Sequence, residues 1–344
     1  MALGKKVLVT GGAGYIGSHT VIALVEAGFS PLIADNFVNS ERKTLDRLED
    51  ILGFSVPCVE VDLANDQATA ALFEAHADIV AVIHFAALKA VGESVENPIA
   101  YYRNNLFSLL NVLANVQKNG IASFIFSSSC TVYGEPDQLP LTEDSPIKEA
   151  ASPYGNTKQM GEEIIRDAVL AGSIQQAISL RYFNPVGAHA SGKLGELPIG
   201  VPNNLLPFIT QTGAGLRSEL QVFGKNYNTA DGTAVRDYIH VEDLAEAHVV
   251  SVKRLLEKRN SENYEVFNLG TGEGHTVLEV IQSFERTSGQ KLPYRITDRR
   301  PGDVSATYAD TSKAKNILGW TASRNLDDMT RSAWIWEKHL RGIE

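Results

Sequence analysis

One stretch near the start of the chain limits its fold more than any other. Lys5-Lys6-Val7-Leu8-Val9-Thr10 reads as a short buried strand. Gly11-Gly12-Ala13-Gly14-Tyr15-Ile16-Gly17 follows, and an apolar-periodic helix then runs to about Ala27. Strand, glycine turn and helix in that order let the backbone turn tightly. The new helix then presents its free N–H groups and positive dipole end, which suits a pyrophosphate. The glycines are spaced G-x-x-G-x-x-G at Gly11, Gly14 and Gly17. Asp35 ends a second strand, Pro31-Leu32-Ile33-Ala34, 18 residues after Gly17. A carboxylate there accepts hydrogen bonds from adenosine ribose hydroxyls and repels a 2′-phosphate, so the expected cofactor is NAD rather than NADP.

Such a unit fixes the fold class if it repeats, and it does. Strand candidates fall at 6–10, 31–34, 56–61, 79–85, 122–128 and 177–183, with helix candidates at 15–27, 40–51, 66–76, 101–118 and 153–171. This alternation implies an α/β fold, a Rossmann-type doubly wound parallel sheet with helices on both faces. After Arg181-Tyr182-Phe183-Asn184-Pro185 the periodicity loosens, and residues 185–235 are rich in Gly, Pro and Asn. They read as an irregular lobe over the sheet. Helices near 242–257, 276–288 and 325–340 and a strand near 264–269 complete the chain. The expected division is a sheet domain over 1–184, with return segments near 236–270, and a smaller C-terminal substrate-binding lobe over most of 185–344.

The net charge of −10 argues against nucleic-acid or anionic-membrane partners. No apolar run reaches about 18 residues, so no spanning helix is expected, and the glycine turn interrupts the apolar start too early for a signal peptide. Cys58 and Cys130 supply no disulfide framework, which suits a reducing cytoplasm. His84, His189 and His240 lack metal-ligand spacing and read as structural, so no metal is expected.

A second motif points to chemistry. The serine-rich segment Ser127-Ser128-Ser129 ends a strand, and Tyr154-Gly155-Asn156-Thr157-Lys158 opens a helix. Tyr and Lys at i and i+4 share a helix face. An ammonium beside a phenol favours the phenolate, which otherwise forms only near pH ~10. A serine hydroxyl holding a substrate oxygen while the phenolate takes its proton would deprotonate an alcohol. Chance supplies about half of one such Tyr–Lys pair in a chain of this composition, so the pair gains weight only from its surroundings.

Taken together, Val9–His19, Ala34-Asp35-Asn36, His84–Ser94 and Tyr101–Asn105 resemble the extended short-chain dehydrogenase/reductase family. Arg236–Val241 fits the same resemblance, and Leu180–His189, Pro202–Leu205 and Arg299–Asp303 are more specifically similar to its branch that epimerises UDP-sugars at C4. That resemblance implies reversible exchange of UDP-glucose and UDP-galactose through a 4-keto sugar, with tightly held NAD and a homodimer joined through helices 101–118 and 153–171. It implies Tyr154 as acid–base, Lys158 as its tuning lysine and ribose ligand, and Ser129 as the hydroxyl on the sugar O4. Tyr15, Ile16, Asn36, Asp62 and Leu63, with Phe85, Lys89, Asn104 and Tyr182, match cofactor-contacting positions. Asn184, Asn204, Leu205 and Phe223, with Arg236, Arg300 and Asp303, match positions that hold the nucleotide sugar. Thr307 stands where the family carries either a bulky tyrosine or a small residue, which implies acceptance of UDP-N-acetylglucosamine as well.

Alternatives stay open at this level. A nucleotide-sugar 4,6-dehydratase needs an Asp-Glu pair after the active-site hydroxyl, where this chain has Cys130-Thr131. An epimerase of another UDP-sugar, a pentose or uronic acid, fits the same motifs. So does an NAD-sensing protein without catalysis, since fold alone does not specify activity.

Overall fold

The computed structural model describes residues 4–299 and 304–343. In chain order its first half comprises β1 (Lys6–Thr10), α1 (Tyr15–Glu26), β2 (Ser30–Asp35), α2 (Lys43–Leu52), β3 (Cys58–Glu60), α3 (Asp66–Ala75), β4 (Ile79–His84), α4 (Val91–Glu96), α5 (Pro98–Lys118), β5 (Ser123–Ser129), α6 (Pro153–Leu170) and β6 (Gln176–Tyr182). Then come β7 (Asn184–Val186), α7 (Leu205–Gly213), β8 (Leu220–Phe223), β9 (Val235–His240), α8 (Val241–Leu256), β10 (Tyr264–Leu269), β11 (Gly274–Thr276), α9 (Val277–Ser288), β12 (Tyr294–Thr297), β13 (Ala306–Thr307) and α10 (Leu326–Arg341).

Seven strands form one sheet in the order β10-β6-β5-β4-β1-β2-β3, and each neighbouring pair is parallel. The order reverses between β1 and β4, the topological switch point where such sheets bind ligands. Alternation within the strands explains why both faces are covered. Val7 and Val9 of β1 pack on one side with Ile33, Ile83 and Ile125. Leu8, Leu32, Val82 and Phe124 pack on the other. The first layer is closed by α1 and α8, the second by α3, α5 and α6. With a period of two, each strand feeds both cores, which is why the strands read as continuous apolar runs.

In the region after Val186 short elements are set between loops. This region contains α7 and β8, and β9 carries β11 on one side and β13 on the other, while β7 also pairs with β9. Between Gly187 and Ala234 only α7 and β8 are regular, so the irregular lobe expected over 185–235 is found there. Strands β7, β8, β9, β11 and β13 are two to six residues long, too short to show a period. Leu206, Ile209, Phe284, Met329 and Trp334 give the region its own apolar core.

Candidate active site

The carboxyl ends of the parallel strands converge on a cavity of about 430 Å³. At its cofactor end, Gly11 has φ +67°, and a Cβ there would lie 2.9 Å from the Ala86 nitrogen. A Cβ on Gly17 would lie 2.3 Å from the Gly11 carbonyl oxygen, so the turn closes only without side chains. Gly14 precedes the first residue of α1 and no side chain caps that end. The first N–H groups of α1 therefore face the cavity, as an anion requires.

Asp35, the last residue of β2, accepts from the Ala13 and Phe37 backbone N–H groups at 3.0 and 2.9 Å and from the Ser40 hydroxyl at 3.0 Å. The carboxylate is thereby fixed beside the glycine turn. Tyr15 donates to the Gly187 carbonyl at 2.7 Å and ties α1 to the segment after β7. Tyr15, Ile16, Asn36, Asp62 and Leu63 line the cavity, as do Phe85, Lys89 and Asn104. These residues and the glycine cradle fit a dinucleotide: space where any Cβ would intrude, free helix N–H groups, and a carboxylate for ribose hydroxyls.

Ser129 ends β5, and Tyr182 ends the neighbouring β6 directly opposite it. The Ser152 hydroxyl caps α6 by accepting from Gly155 N–H at 3.1 Å, with Pro153 at the first helical position. That cap sets Tyr154 in the first turn and Lys158 one turn later. Lys158 is 4% exposed. Its ammonium donates to the Ser127 carbonyl at 2.6 Å and lies 5.8 Å from the Tyr154 ring centre. Ser127 in turn shares a hydrogen bond with the Tyr182 hydroxyl. Serine, tyrosine and lysine thus meet at one wall of the cavity whose other wall is the glycine turn.

The electrostatics correct one expectation. Lys158 does not by itself pull Tyr154 toward the phenolate. Burial raises the phenol well above its ordinary value, Tyr182 and Cys130 add to this, and a hydrogen bond with Ser129 only partly opposes it. Burial also pushes Lys158 down to about 7, with Glu162 pulling the other way. Desolvation disfavours both charged forms, so the pair needs a further charge in the cavity.

The sugar-side residues divide. Asn184 and Asn204 line the cavity. Leu205 opens α7, Phe223 ends β8, Arg236 lies in β9, and Thr307 is its register partner on β13. These four fall outside the cavity lining, although the Arg236 charge reaches the Cys130 thiol beside Ser129. Arg300 and Asp303 lie outside the described residues. Sequence reasoning missed Glu196, whose carboxylate accepts from Asn204 at 2.6 Å and stands 3.7 Å from the Lys89 ammonium. It also missed Asn105, which accepts from Leu88 N–H at 2.8 Å and donates to Leu88 O at 3.0 Å, holding the loop that carries Lys89. The doubled Asn104-Asn105 was a signal for it. Glu196 had none, because only the fold brings it to Lys89.

Fold and site together define an NAD-binding protein of the extended short-chain dehydrogenase/reductase class. A family model described as GDP-mannose 4,6 dehydratase matches residues 8–333. The chain is 50% identical over 340 residues to a UDP-glucose 4-epimerase of Mus musculus, covering 97% of each. A crystal structure of a UDP-glucose 4-epimerase from Stenotrophomonas maltophila, with bound NAD and formylated UDP-arabinopyranose, superimposes with a TM-score of 0.94 at 45% identity, over 99% of this chain and 100% of that one. The Bifidobacterium longum enzyme, in complex with NAD+ and UDP, gives 0.93 at 46% identity, over 98% and 100%. The chain belongs to the UDP-glucose 4-epimerase family.

Proposed function

We propose that this chain interconverts UDP-glucose and UDP-galactose by reversible inversion at C4, with NAD held in the cavity. The observation that carries the reading is the convergence of Ser129, Tyr154 and Lys158 on a cavity shared with the glycine turn and Asp35. NAD bound there supplies a hydride acceptor and donor for C4, and its positive ring supplies the charge that the buried phenol lacks. The chain supplies the proton chemistry. Ser129 holds the sugar O4 while the Tyr154 hydroxyl, as phenolate, takes the C4 hydroxyl proton and later returns it. Lys158, anchored on the Ser127 carbonyl, grips the nicotinamide ribose and steadies Tyr154. The diphosphate stays anchored by Arg236, whose planar fork suits it, while the 4-keto sugar turns to present its other face. Remote binding energy thus retains a reactive intermediate.

Dehydration is disfavoured by residues next to Ser129. Burial pushes the Cys130 thiol up to about 12, and Thr131 has no acidic proton to give, so neither replaces a carboxylate pair. The NAD-holding part is assigned to 1–184 with the return near 236–270, and the nucleotide-sugar lobe to the rest. Homodimerisation through α5 and α6 is favoured by exposed Ile99, Phe107 and Leu110 on α5. Both cysteines are free, which supports a cytoplasmic setting, and among the described residues no helix is long and apolar enough to cross a membrane. The test is Tyr154→Phe. Turnover should fall by about 10²–10⁴-fold with NAD still bound, whereas rates like those of the unaltered chain would remove Tyr154 from the reaction.

A further inference from the structure

Glu196 is a largely enclosed acid that the proposed proton chemistry does not use. It sits in Leu194-Gly195-Glu196-Leu197, a segment that lines the cavity between β7 and α7. Its backbone is pinned, because the Trp336 indole on α10 donates to the Glu196 carbonyl at 3.0 Å. A Cβ on Gly195 would come within 2.4 Å of the same indole, so the segment is seated flat on it. The side chain therefore has a fixed root and is 12% exposed. Its carboxylate reaches two residues from opposite groups. Asn204, at the cap of α7, belongs to the sugar-nucleotide set and donates to it at 2.6 Å. Lys89, in the loop after β4, belongs to the cofactor set and stands 3.7 Å away, with 55% of its side chain exposed.

An acid lining a cavity meant for two diphosphates opposes both ligands unless it does something else there. Burial raises its pKa, while Lys89 and Asn204 oppose that rise. The two partners thus stabilise the carboxylate, and the carboxylate fixes them. Lys89 is a long, mobile side chain, and holding it costs rotamer entropy that a bound cofactor would otherwise meet in full. Asn204 has a carboxamide whose orientation decides whether it offers a donor or an acceptor. A carboxylate accepts only, so it orients the Asn204 amide nitrogen toward itself and leaves the carbonyl oxygen and the second N–H for a ligand.

We propose that Glu196 is a positioning residue that joins the two halves of the site, presetting Asn204 for the uridine nucleotide and linking that setting to Lys89 on the cofactor side. This rests on the sugar-nucleotide reading above. The three residues act as one unit, so a change at Lys89 is felt at the nucleotide site through Glu196.

The test uses the NAD-loaded protein and UDP as the probe, with affinity read by calorimetry. Glu196→Leu should weaken UDP by about tenfold, the range of one charge-assisted hydrogen bond, with the loss in turnover assays falling on KM rather than kcat. Glu196→Gln keeps an acceptor for Asn204 and should recover UDP affinity to within about threefold. Lys89→Met should weaken UDP by about threefold in the otherwise unaltered chain and by less than about twofold in the Glu196→Leu background. Full UDP affinity in Glu196→Leu, or an equal Lys89→Met effect in both backgrounds, would overturn the proposal. If the unaltered NAD-loaded chain does not bind UDP, the nucleotide-sugar reading fails instead, and the two failures are told apart by that control. A melting temperature for each variant separates lost positioning from lost folding, because Glu196→Gln preserves the volume of the side chain.

Discussion

Tyr154 and Lys158 show what a motif says and what it leaves out. Their spacing placed both on one helix face, and α6 puts them there, with Lys158 inside the protein rather than at its surface. Spacing does not report desolvation, which depends on strands β5 and β6 closing over the pair. The lysine consequence can be measured. Its ordinary value of 10.5 falls to about 7 in the folded protein, so unfolding takes up a proton between those values. Stability then climbs as pH rises through that window and is lowest below 7. Lys158→Met should therefore raise the melting temperature relative to the unaltered chain most at pH 6–7, with the gain shrinking toward pH 10. A pH-independent difference would mean the ammonium stays charged when buried. Thr307 tests substrate breadth. We expect the chain to accept UDP-N-acetylglucosamine; Thr307 itself stands outside the cavity lining, and the longer tyrosine of Thr307→Tyr should lower kcat/KM for the N-acetylated sugar by about tenfold or more while sparing UDP-galactose, since overfilling costs about 1–3 kcal/mol. Equal losses on both substrates would dismiss Thr307 as the gate. Ser129, Asp35 and the glycines were legible because their chemistry is local. Glu196 was not, since its partner Lys89 is far from it in sequence and Asn204, eight residues on, meets it only through the fold of an irregular segment.

Among elements, β1, α1 and the turn between them are the most constrained. The 2.3 Å approach at Gly17 is to backbone, not to a flexible side chain, so relief means opening the turn. Gly17→Ala should cost about 1–3 kcal/mol or more and release NAD, read as a lower melting temperature and a protein purified without cofactor absorbance. An alanine variant with full NAD would show that the turn has slack. The long helices α5, α6, α8, α9 and α10 were all legible, because each carries enough turns to display a periodic apolar face and several have a clear cap. The Thr276 and Asn325 capping boxes of α9 and α10 are examples. Helix α7 and strands β7, β8, β11, β12 and β13 were not. They span two to nine residues, too few to show a period, and the strands become regular by pairing: β7, β11 and β13 with β9, and β8 with β12.

At the scale of the molecule, the repeating strand–helix units specified the parallel sheet, and their order placed the cavity at the switch between β1 and β4. One exposed apolar face lies on α5. Ile99, Phe107 and Leu110 of α5 are 71%, 50% and 44% exposed, at spacings that align them on one face. Replacing Phe107 and Leu110 together by Glu should convert a dimer to monomers in sedimentation experiments. A monomeric unaltered chain would remove α5 as an interface. The central claim is that one bound cofactor is used and restored within each turnover, and product analysis tests it most directly. The purified protein is given UDP-galactose with no added NAD, and products are followed by chromatography alongside absorbance in the NADH band. The account predicts many UDP-glucose molecules per chain with no net NADH. A 4-keto-6-deoxy product, or NADH accumulating in step with the sugar consumed, would contradict it.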